Sequence, residues 1–265
     1  MNLTIDQLIN EVGELPPFPQ AAQKALRLIR NPDTSVKELA KVISVDQSLS
    51  GLLLRWANSA WYSLQSRITS VNRAVSIVGM KSVRELILSS ATASYLNRPL
   101  PGYELRRGDL WRRSLGVAIG AQFIAADRGE DMQEEAYFAG LLCDIGKLAF
   151  EKLIRSVDTT SPEWMCTPFL EMERSTFGFD HAQLGAEMAR RWNLPDVLVN
   201  VIANHHTPGS ASDDRYLVSV VHISDAAMTM LGIGVGKDGL RYDFDQDAVK
   251  YVGLKDDDLF LVCER

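Results

Sequence analysis

Apolar residues in this chain recur at intervals of three and four, the spacing that places them along one side of an α-helix. Two successive stripes show the pattern: Val36, Leu39, Ala40 and Ile43, followed by Leu49, Leu52, Leu53 and Trp56. Segments in which apolar and polar residues alternate, as they do in a half-buried strand, are scarce. The sequence therefore predicts an all-α protein.

The helical pattern is interrupted between Asn97 and Gly108, where NRPLPGYELRRG contains two prolines and two glycines. These residues are the strongest local breakers of regular structure. We therefore expect one domain over residues 1–230, built as a two-lobed helical bundle with an N-terminal lobe at 1–97 and a second lobe at 109–230. Residues 231–265 are predicted to form a tail with a glycine-rich loop and a short helix that begins in KDDDLFLV.

Several helix boundaries can be predicted from capping residues. Gly79 follows a short helical stretch and suits a C-terminal cap. Ser82 and Glu85 have the spacing of a capping box, and Asp180 with Gln183 resembles an N-cap before His181. In the second lobe the periodicity predicts helices near 109–127, 134–150, 169–176, 181–192, 196–206 and 214–230.

Composition excludes several classes of protein. Apolar residues make up 46% of the 265 residues and charged residues 23%, the balance of a soluble globular protein. The net charge of −6 argues against non-specific binding of nucleic acid, which requires a basic surface. No stretch is long and apolar enough to span a membrane, and the N-terminus lacks the basic and apolar regions of a signal peptide. Three scattered cysteines form no disulfide framework, so we expect a cytoplasmic location.

Histidines and carboxylates fall on several of the predicted helices. His181 begins one helix, His205 and His206 end another, and Asp144 and Asp225 lie on two more. Imidazole and carboxylate groups that converge from several helices can build a metal site or an acid–base site. The alternative is that each histidine is a hydrogen-bonded residue at a helix end. His222 lies one helical turn before Asp225, so the two side chains could pair on one face.

Two further groups of residues have a functional and a structural interpretation. Cys143, in AGLLCDIGKL, is flanked by apolar residues that predict burial, and burial raises a thiol pKa and lowers its reactivity. We therefore expect a structural cysteine. The cluster of Arg106, Arg107, Arg112 and Arg113 suits an anion site or, equally, a solvated helix start.

The N-terminal lobe raises the possibility of DNA binding. Its SVKELAKVISVDQSLSGLLLRWANS segment imitates a helix-turn-helix. A recognition helix presents polar side chains to the bases, however, whereas Leu52, Leu53 and Leu54 are consecutive and Trp56 follows. The segment therefore favours a buried helix, and DNA binding is the weaker alternative.

A series of motifs in fixed order resembles the HDOD family, bacterial signalling domains related to the HD and HD-GYP metal-dependent phosphohydrolases. The motifs are LPPFP (15–19), VDQSLSGLLLRWANSAWY (45–62), VNRAVSIVGMKSVRELIL (71–88), LWRRS (110–114), AGLLCDIGKL (139–148), FGFDHAQLGAEMARRWNLP (177–195) and ANHH (203–206). The resemblance implies an all-helical fold in which an N-terminal lobe joins an HD-like lobe.

The same resemblance implies which site residues are kept and which are lost. In catalytic HD relatives the core ligands are a first histidine, a His-Asp doublet and a distal aspartate, which correspond here to Arg113, Cys143–Asp144 and Asp225. The additional histidines of two-metal relatives correspond to His181, His205 and His206. Two core ligands are therefore replaced, by arginine and by cysteine. The HHE and GYP features of the cyclic-dinucleotide phosphodiesterases are also absent, because the histidine doublet is followed by Thr-Pro-Gly.

Replacing a ligating imidazole by Arg113 puts a permanent cation near the metal position, where it would repel a divalent ion. We hypothesise that Arg113 substitutes for the metal by pairing with Asp144, and also with Asp225. In the alternative, Arg113 turns into solvent and Asp144 bonds to nearby histidines or water. No cofactor is expected; an adventitious divalent metal would use Asp144, His181, His205, His206 and Asp225.

These inferences predict a non-catalytic signal-transduction domain. It would bind a signalling protein or a small nucleotide-like ligand through a remnant pocket formed by Arg113, Cys143, Asp144, His181, His205, His206 and Asp225. One alternative is a metal-dependent phosphohydrolase acting on nucleotides or cyclic dinucleotides, and another is DNA binding through the N-terminal lobe. Neither a membrane nor a nucleic acid is an expected partner.

Overall fold

The computed structural model of the chain describes residues 24, 28, 31, 33–45, 47–59, 67–161, 164, 166–237 and 244–254. Within these ranges the regular structure is helical, apart from an isolated antiparallel bridge between Leu100 and Leu105. The all-α prediction is therefore confirmed. None of the described helices is long and apolar enough to cross a membrane.

The described residues divide into two compact units, with the boundary between Ser94 and Tyr95. The first unit contains helices α1 (Val36–Val45), α2 (Gln47–Ala57) and α3 (Val71–Val78), and α4 (Met80–Leu96) crosses the boundary. The boundary lies close to the predicted end of the N-terminal lobe at residue 97. The assignment of residues 1–230 to one domain stays a prediction.

The core of the first unit is made by the periodic apolar residues. Its fully buried members include Leu39, Leu53, Val75 and Ile87. On α2 the described residues that are exposed are Gln47, Gly51 and Arg55, a single stripe at four-residue spacing, while Leu54 and Trp56 pack against the core. This helix uses most of its surface for packing, as the apolar run predicts.

The two predicted caps of the first unit have different outcomes. Gly79 ends α3 with a positive φ of 88°, as expected for a glycine cap. The capping box at Ser82 is wrong, because α4 already begins at Met80. The N–H of Val83 donates to the carbonyl of Gly79 at 3.1 Å, so the helical hydrogen bonds start before Ser82 and leave it inside the first turn.

The second unit contains the remaining helices. They are α5 (Asp109–Ile124), α6 (Glu130–Leu142), α7 (Lys147–Ile154), α8 (Phe169–Phe177), α9 (His181–Arg191), α10 (Asp196–Asn204), α11 (Arg215–Met230) and α12 (Gln246–Val252). Helix α5 packs against α6 and α11, and α9 packs against α10 and α7. Helix α12 was not predicted, and the predicted tail helix in KDDDLFLV lies outside the described residues.

The single helix predicted over residues 134–150 is instead two helices joined by a tight turn. The N–H of Ile145 donates to Leu142 O and that of Lys147 to Asp144 O, both at 3.1 Å and both over three residues. A Cβ on Gly146 would overlap the carbonyl oxygen of His181 and lie 2.7 Å from the N of Gly185. The glycine lets the turn lie directly against α9, which brings Asp144 beside His181.

The start of α9 follows the predicted N-cap. The Asp180 carboxylate accepts the N–H of Gln183 at 2.8 Å, and the Gln183 side chain accepts the N–H of Asp180 at 3.1 Å. This reciprocal pair is a capping box and places His181 at the first position of the helix. The predicted cap is therefore confirmed.

Candidate functional site

All seven residues of the predicted remnant pocket meet inside the second unit. The ligating atoms of Asp144, His181, His205 and His206 lie within 4.8 Å of one another, and so do those of Cys143, Asp144 and Asp225. Arg113 contacts both aspartates. The side chains come from α5, the α6–α7 turn, α9, the end of α10 and α11, so helix packing alone brings together residues that are far apart in the sequence.

Arg113 lies inside this cluster and bridges its two aspartates. Its Nε is 3.3 Å from Asp144 Oδ2, and its Nη2 is 2.7 Å from Asp225 Oδ1. The second contact is an ion pair without hydrogen-bond alignment, since neither carboxylate oxygen of Asp225 has a hydrogen-bond partner among the described residues. Arg113 is 4% exposed. The hypothesised pairing is confirmed, and the alternative in which Arg113 turns into solvent is wrong.

The guanidinium of Arg113 also holds the end of α11 and the segment that follows it. Nη2 donates to Thr229 Oγ1 at 2.8 Å and to the carbonyl of Asp225 at 3.3 Å. Nη1 donates to the carbonyl of Ile233 at 3.4 Å. The four-arginine cluster of the sequence is therefore divided: Arg113 is buried, whereas Arg106, Arg107 and Arg112 are exposed.

A second buried cation, Lys147, was not predicted as a site residue. Its Nζ lies 3.1 Å from Asp144 Oδ2, and its side chain is 2% exposed. The signal in the sequence was its position three residues after Asp144, which allows the two to pair across one helical turn. Asp144 Oδ2 thus faces two cations, Lys147 and Arg113.

His181 lies between two carboxylates. Its Nδ1 is 2.8 Å from Glu173 Oε2, which also accepts the backbone N–H of His181 at 2.8 Å. The other oxygen of Glu173 accepts the Tyr103 hydroxyl at 2.7 Å. Glu173 and Tyr103 are fully buried, and sequence reasoning missed both. No spacing pattern connects them, because they lie 70 residues apart.

The other ring nitrogen of His181 faces Asp144 and His206. Its Nε2 is 3.3 Å from Asp144 Oδ1 and 2.9 Å from His206 Nε2. Burial by itself would lower the pKa of His181, but the charge of Glu173 and the hydrogen bonds to Asp144 and Glu173 outweigh it and raise the pKa to about 10. Burial, together with the neighbouring His205 and His181, holds the pKa of His206 well below its usual range. A protonated His181 therefore donates to a neutral His206.

Asp144 is ionised at the centre of the cluster. Burial would raise its pKa, but the Lys147 ammonium and the hydrogen bonds with His181 and His205 outweigh burial and hold the pKa well below its usual range. Its Oδ1 lies 3.3 Å from Nε2 of the protonated His181 and 3.7 Å from Nε2 of His205. Nδ1 of His205 is 2.8 Å from the carbonyl of Ile202, to which it donates, so Nε2 is the ring nitrogen that faces Asp144.

The cluster contains two sets of side chains that could hold a metal, and the two sets differ in how well they suit a divalent cation. The position between Cys143, Asp144 and Asp225 does not fit a divalent cation, because the guanidinium of Arg113 already lies against both carboxylates. The position between Asp144, His181, His205 and His206 has an oxygen and nitrogen donor set, but His181 would have to lose a proton before its Nε2 could bind a cation. A cation bound there would act as a Lewis acid.

Cys143 and His222 make structural contacts. The thiol of Cys143 is fully buried and donates to the carbonyl of Gly140 at 3.3 Å. The predicted burial of Cys143 is confirmed, and burial and the charges of Asp144 and Asp225 raise its pKa.

The predicted pairing of His222 with Asp225 is wrong. Nδ1 of His222 is 2.8 Å from the carbonyl of His205, and Nε2 accepts the N–H of Asp245 at 3.0 Å. Carbonyls at the end of a helix lack an intrahelical partner, and His222 satisfies this one. His222 therefore connects the end of α10 to the turn that caps α12.

An all-helical unit in which histidines and aspartates from several helices converge defines an HD-like protein. The HDOD domain matches residues 15–208 of the sequence. The chain belongs to the HDOD domain family.

Individual relatives agree with this assignment. A solved HDOD domain protein of Geobacter sulfurreducens is 26% identical with a TM-score of 0.76, over 98% of this chain and 86% of that one. A candidate phosphohydrolase of Shewanella amazonensis SB2B is 25% identical with a TM-score of 0.67, over 97% of each chain. An uncharacterized protein of Treponema pallidum (strain Nichols) is 27% identical over 231 residues, which are 84% of this chain and 44% of that protein. The chain spans less than half the length of the curated relatives it matches.

The environment of His181 predicts how stability depends on pH. The folded-state pKa of about 10 is above the ordinary 6.5, so the stabilisation is fully present below pH 6.5 and is lost as pH rises towards 10. The groups that face His181 are Glu173 from α8, Asp144 from the α6–α7 turn, Lys147 from the start of α7, and His205 and His206, which follow α10. We expect the free energy of unfolding to fall by a few kcal/mol, on the order of one per pH unit, over this range.

Urea titrations at pH 6, 8 and 10 measure this loss. Glu173→Gln removes the largest favourable charge on His181 and should flatten the profile. Glu171→Gln is the matched control, because Glu171 is exposed on the same helix, and its profile should follow that of the unmodified protein. Equal slopes in Glu173→Gln and Glu171→Gln would contradict the assignment.

Proposed function

We propose that this chain is a non-catalytic regulatory domain of the HDOD family that acts by binding a signalling protein. The observation that carries the proposal is the position of Arg113, between the two aspartates that correspond to core metal ligands. A guanidinium cannot ligate a metal, and its permanent charge opposes a divalent cation at the same carboxylates. Buried ion pairs then connect helices that a metal connects in catalytic relatives.

Burial supports a protein partner over a ligand held inside the cluster. Arg113 and His181 are each 4% exposed, and Cys143, Asp144, His205 and Asp225 are less exposed still. Only His206 among the seven predicted site residues is partly exposed. A nucleotide-sized ligand would need the helices to separate before it could contact these side chains. A partner that binds the outer surface needs no such opening.

The second candidate function is a metal-dependent phosphohydrolase. It is favoured by the oxygen and nitrogen atoms of Asp144, His181, His205 and His206, which lie within 4.8 Å of one another. The similarity to a candidate phosphohydrolase of S. amazonensis also favours this second function. In this alternative the four side chains would hold the ion, while Lys147 and Arg113 would keep Asp144 ionised.

Turnover assays distinguish the two functions. The purified chain is incubated with Mn²⁺, Fe²⁺ or Ni²⁺ and with a panel of nucleotides, cyclic dinucleotides and bis(p-nitrophenyl) phosphate. We expect no metal-dependent hydrolysis above that of Asp144→Asn, which keeps the shape of the side chain but removes its charge. Sustained hydrolysis that is abolished by Asp144→Asn and retained by Glu171→Gln would refute the non-catalytic function and support the hydrolase.

A further inference from the structure

An open groove of about 530 Å³ lies on the second unit, between α5 and the segment that follows α11. Its apolar lining includes Leu115 and Ile119 from the helix and Ile233 and Val235 from the segment. Asp109 and Arg112 line it as well. From Asp109 to Ile119 the helix extends about 15 Å, which is the length of two to three helical turns.

Arg113, the residue that bridges the two buried aspartates, also holds the wall segment of the groove in place. Arg113 donates to the carbonyl of Ile233 at 3.4 Å, so the guanidinium that bridges the buried aspartates also anchors this segment. Gly234 has a φ of +60°, and a Cβ there would lie 2.6 Å from Asp109 O and 2.7 Å from Arg113 Cβ. The segment can therefore lie directly on α5 only with glycine at this position, and the groove has a defined shape before anything binds.

The segment is held again a few residues later. The N–H of Lys237 donates to the carbonyl of Tyr103 at 2.9 Å. Its ammonium donates to Thr159 Oγ1 at 2.6 Å and lies 3.4 Å from Glu104 Oε1. Two anchors thus hold the wall, one on each side of Val235.

One exposed apolar side chain lines the groove, and two more lie in the chain just before its wall segment. Ile119 is 46% exposed, and Met230 and Leu231, directly before the wall segment, are 64% and 42% exposed. These are three of the five large apolar side chains that are exposed among the described residues. Ile119 lines the groove itself, whereas Met230 and Leu231 precede its wall segment in the chain; exposed apolar side chains of this kind mark binding surfaces.

The charge next to the groove is opposite to that of the whole chain. The protein has a net charge of −6, yet Arg106 and Arg107 are exposed in the turn that leads into α5. Arg112 follows on the helix, paired with Asp109 but with its side chain 67% exposed, so the two lining charges balance and Arg106 and Arg107 supply the excess of positive charge. The groove thus combines apolar walls with nearby guanidinium groups, which complements a ligand that is apolar on one side and acidic on the other.

We propose that this groove docks an amphipathic helical segment of a partner protein, whose apolar residues at helical spacing are flanked by Asp and Glu. A helix-in-groove complex uses anchors at i, i+3 or i+4 and i+7, which span about 10 Å and fit within the length of the groove. The inference rests on the proposed function, because it names the surface by which the regulatory domain would bind its partner.

Selection from a random peptide library tests the proposal without knowledge of the partner. Phage that display peptides of about 16 residues, long enough for four helical turns, are selected on the full chain. Enriched peptides are then synthesised with a fluorescein label and titrated by fluorescence anisotropy. We expect enriched peptides to carry apolar residues at i, i+3 or i+4 and i+7 with Asp and Glu between them.

Four variants locate the binding surface. Ile119→Glu and Arg112→Glu should each weaken binding roughly tenfold or more, as expected for anchor and charge positions. Val45→Glu replaces an exposed apolar residue of the first unit, and Arg190→Glu replaces an exposed arginine that pairs with an acidic neighbour as Arg112 does. Both controls should keep the affinity within about twofold, inside the range of near-neutral contacts. Circular dichroism spectra of the four variants are compared with that of the unmodified protein to test that each variant is folded.

The proposal is overturned if no peptide is enriched over an empty support or if the enriched peptides are basic or uncharged. It is also overturned if Ile119→Glu and Arg112→Glu leave the affinities unchanged. Displacement of the peptides by an RNA oligonucleotide, independent of Ile119, would indicate a polyanion site instead and would also overturn it. The turnover assay is separate. Hydrolysis with intact peptide binding refutes only the non-catalytic function, and failed selection without hydrolysis refutes only the docking surface.

Discussion

Replacing Arg113 by alanine is expected to lower the free energy of unfolding by about 3–5 kcal/mol, the range for one partner removed from a buried ion pair. The substitution leaves Asp225 in a position that is 1% exposed, without the cation that lies 2.7 Å from its carboxylate. Asp144 keeps Lys147 but loses its second cation. An uncompensated buried carboxylate must take up a proton or open the surrounding helices to water.

Urea denaturation at neutral pH measures the change. Arg112→Ala is the matched control. Arg112 directly precedes Arg113 and is also paired with an aspartate, but its side chain is exposed. Exposed pairs contribute at most about 1 kcal/mol, so the control should remain close to the unmodified protein. The double variant Arg113→Ala, Asp225→Ala should recover part of the loss, since it removes the stranded charge. An Arg113→Ala variant as stable as the Arg112 control would contradict the buried bridge.

Restoring both lost ligands is expected to create a metal site. Arg113→His together with Cys143→His replaces a repelling cation and a neutral thiol by two neutral imidazoles beside Asp144 and Asp225. Histidine and carboxylate side chains are the usual ligands of first-row divalent metals. We expect the double variant to retain about one equivalent of Zn²⁺ or Mn²⁺ per chain after dialysis, the stoichiometry of a single closed site.

Elemental analysis and thermal unfolding together test the restored site. A metal at 100 times its dissociation constant stabilises the folded state by about 2.7 kcal/mol, so added metal should raise the melting temperature of the double variant. Cys143→His alone is the key control, because it keeps Arg113 and should gain much less metal at this position. Asp225→Asn added to the double variant should abolish the gain. Equal metal content in the double variant and in Cys143→His would show that Arg113 does not exclude the ion.

The site could be predicted from the sequence only in part. The pairing of Arg113 with Asp144 was predicted from the family resemblance, which implies an imidazole at position 113 in relatives, and from the counter-ion that a buried carboxylate needs. The same reasoning missed Glu173 and Tyr103, whose hydrogen bond joins residues 70 positions apart. It also paired His222 with Asp225, because helical spacing shows which residues share a face but not which other helix faces them.

Residue types and their spacing predicted, without coordinates, that the protein is helical, and the resemblance of its motifs to HDOD proteins predicted the family and implied that two metal ligands are replaced. These properties depend on the identity and order of residues along the chain. Tertiary structure decided that Arg113 is buried against both aspartates, that Lys147 joins it, and that Nε2 of His181 lies 2.9 Å from Nε2 of His206. The physical reason is that charge pairing and protonation depend on distances of a few ångströms between helices, which close contacts such as that of Gly146 with α9 determine.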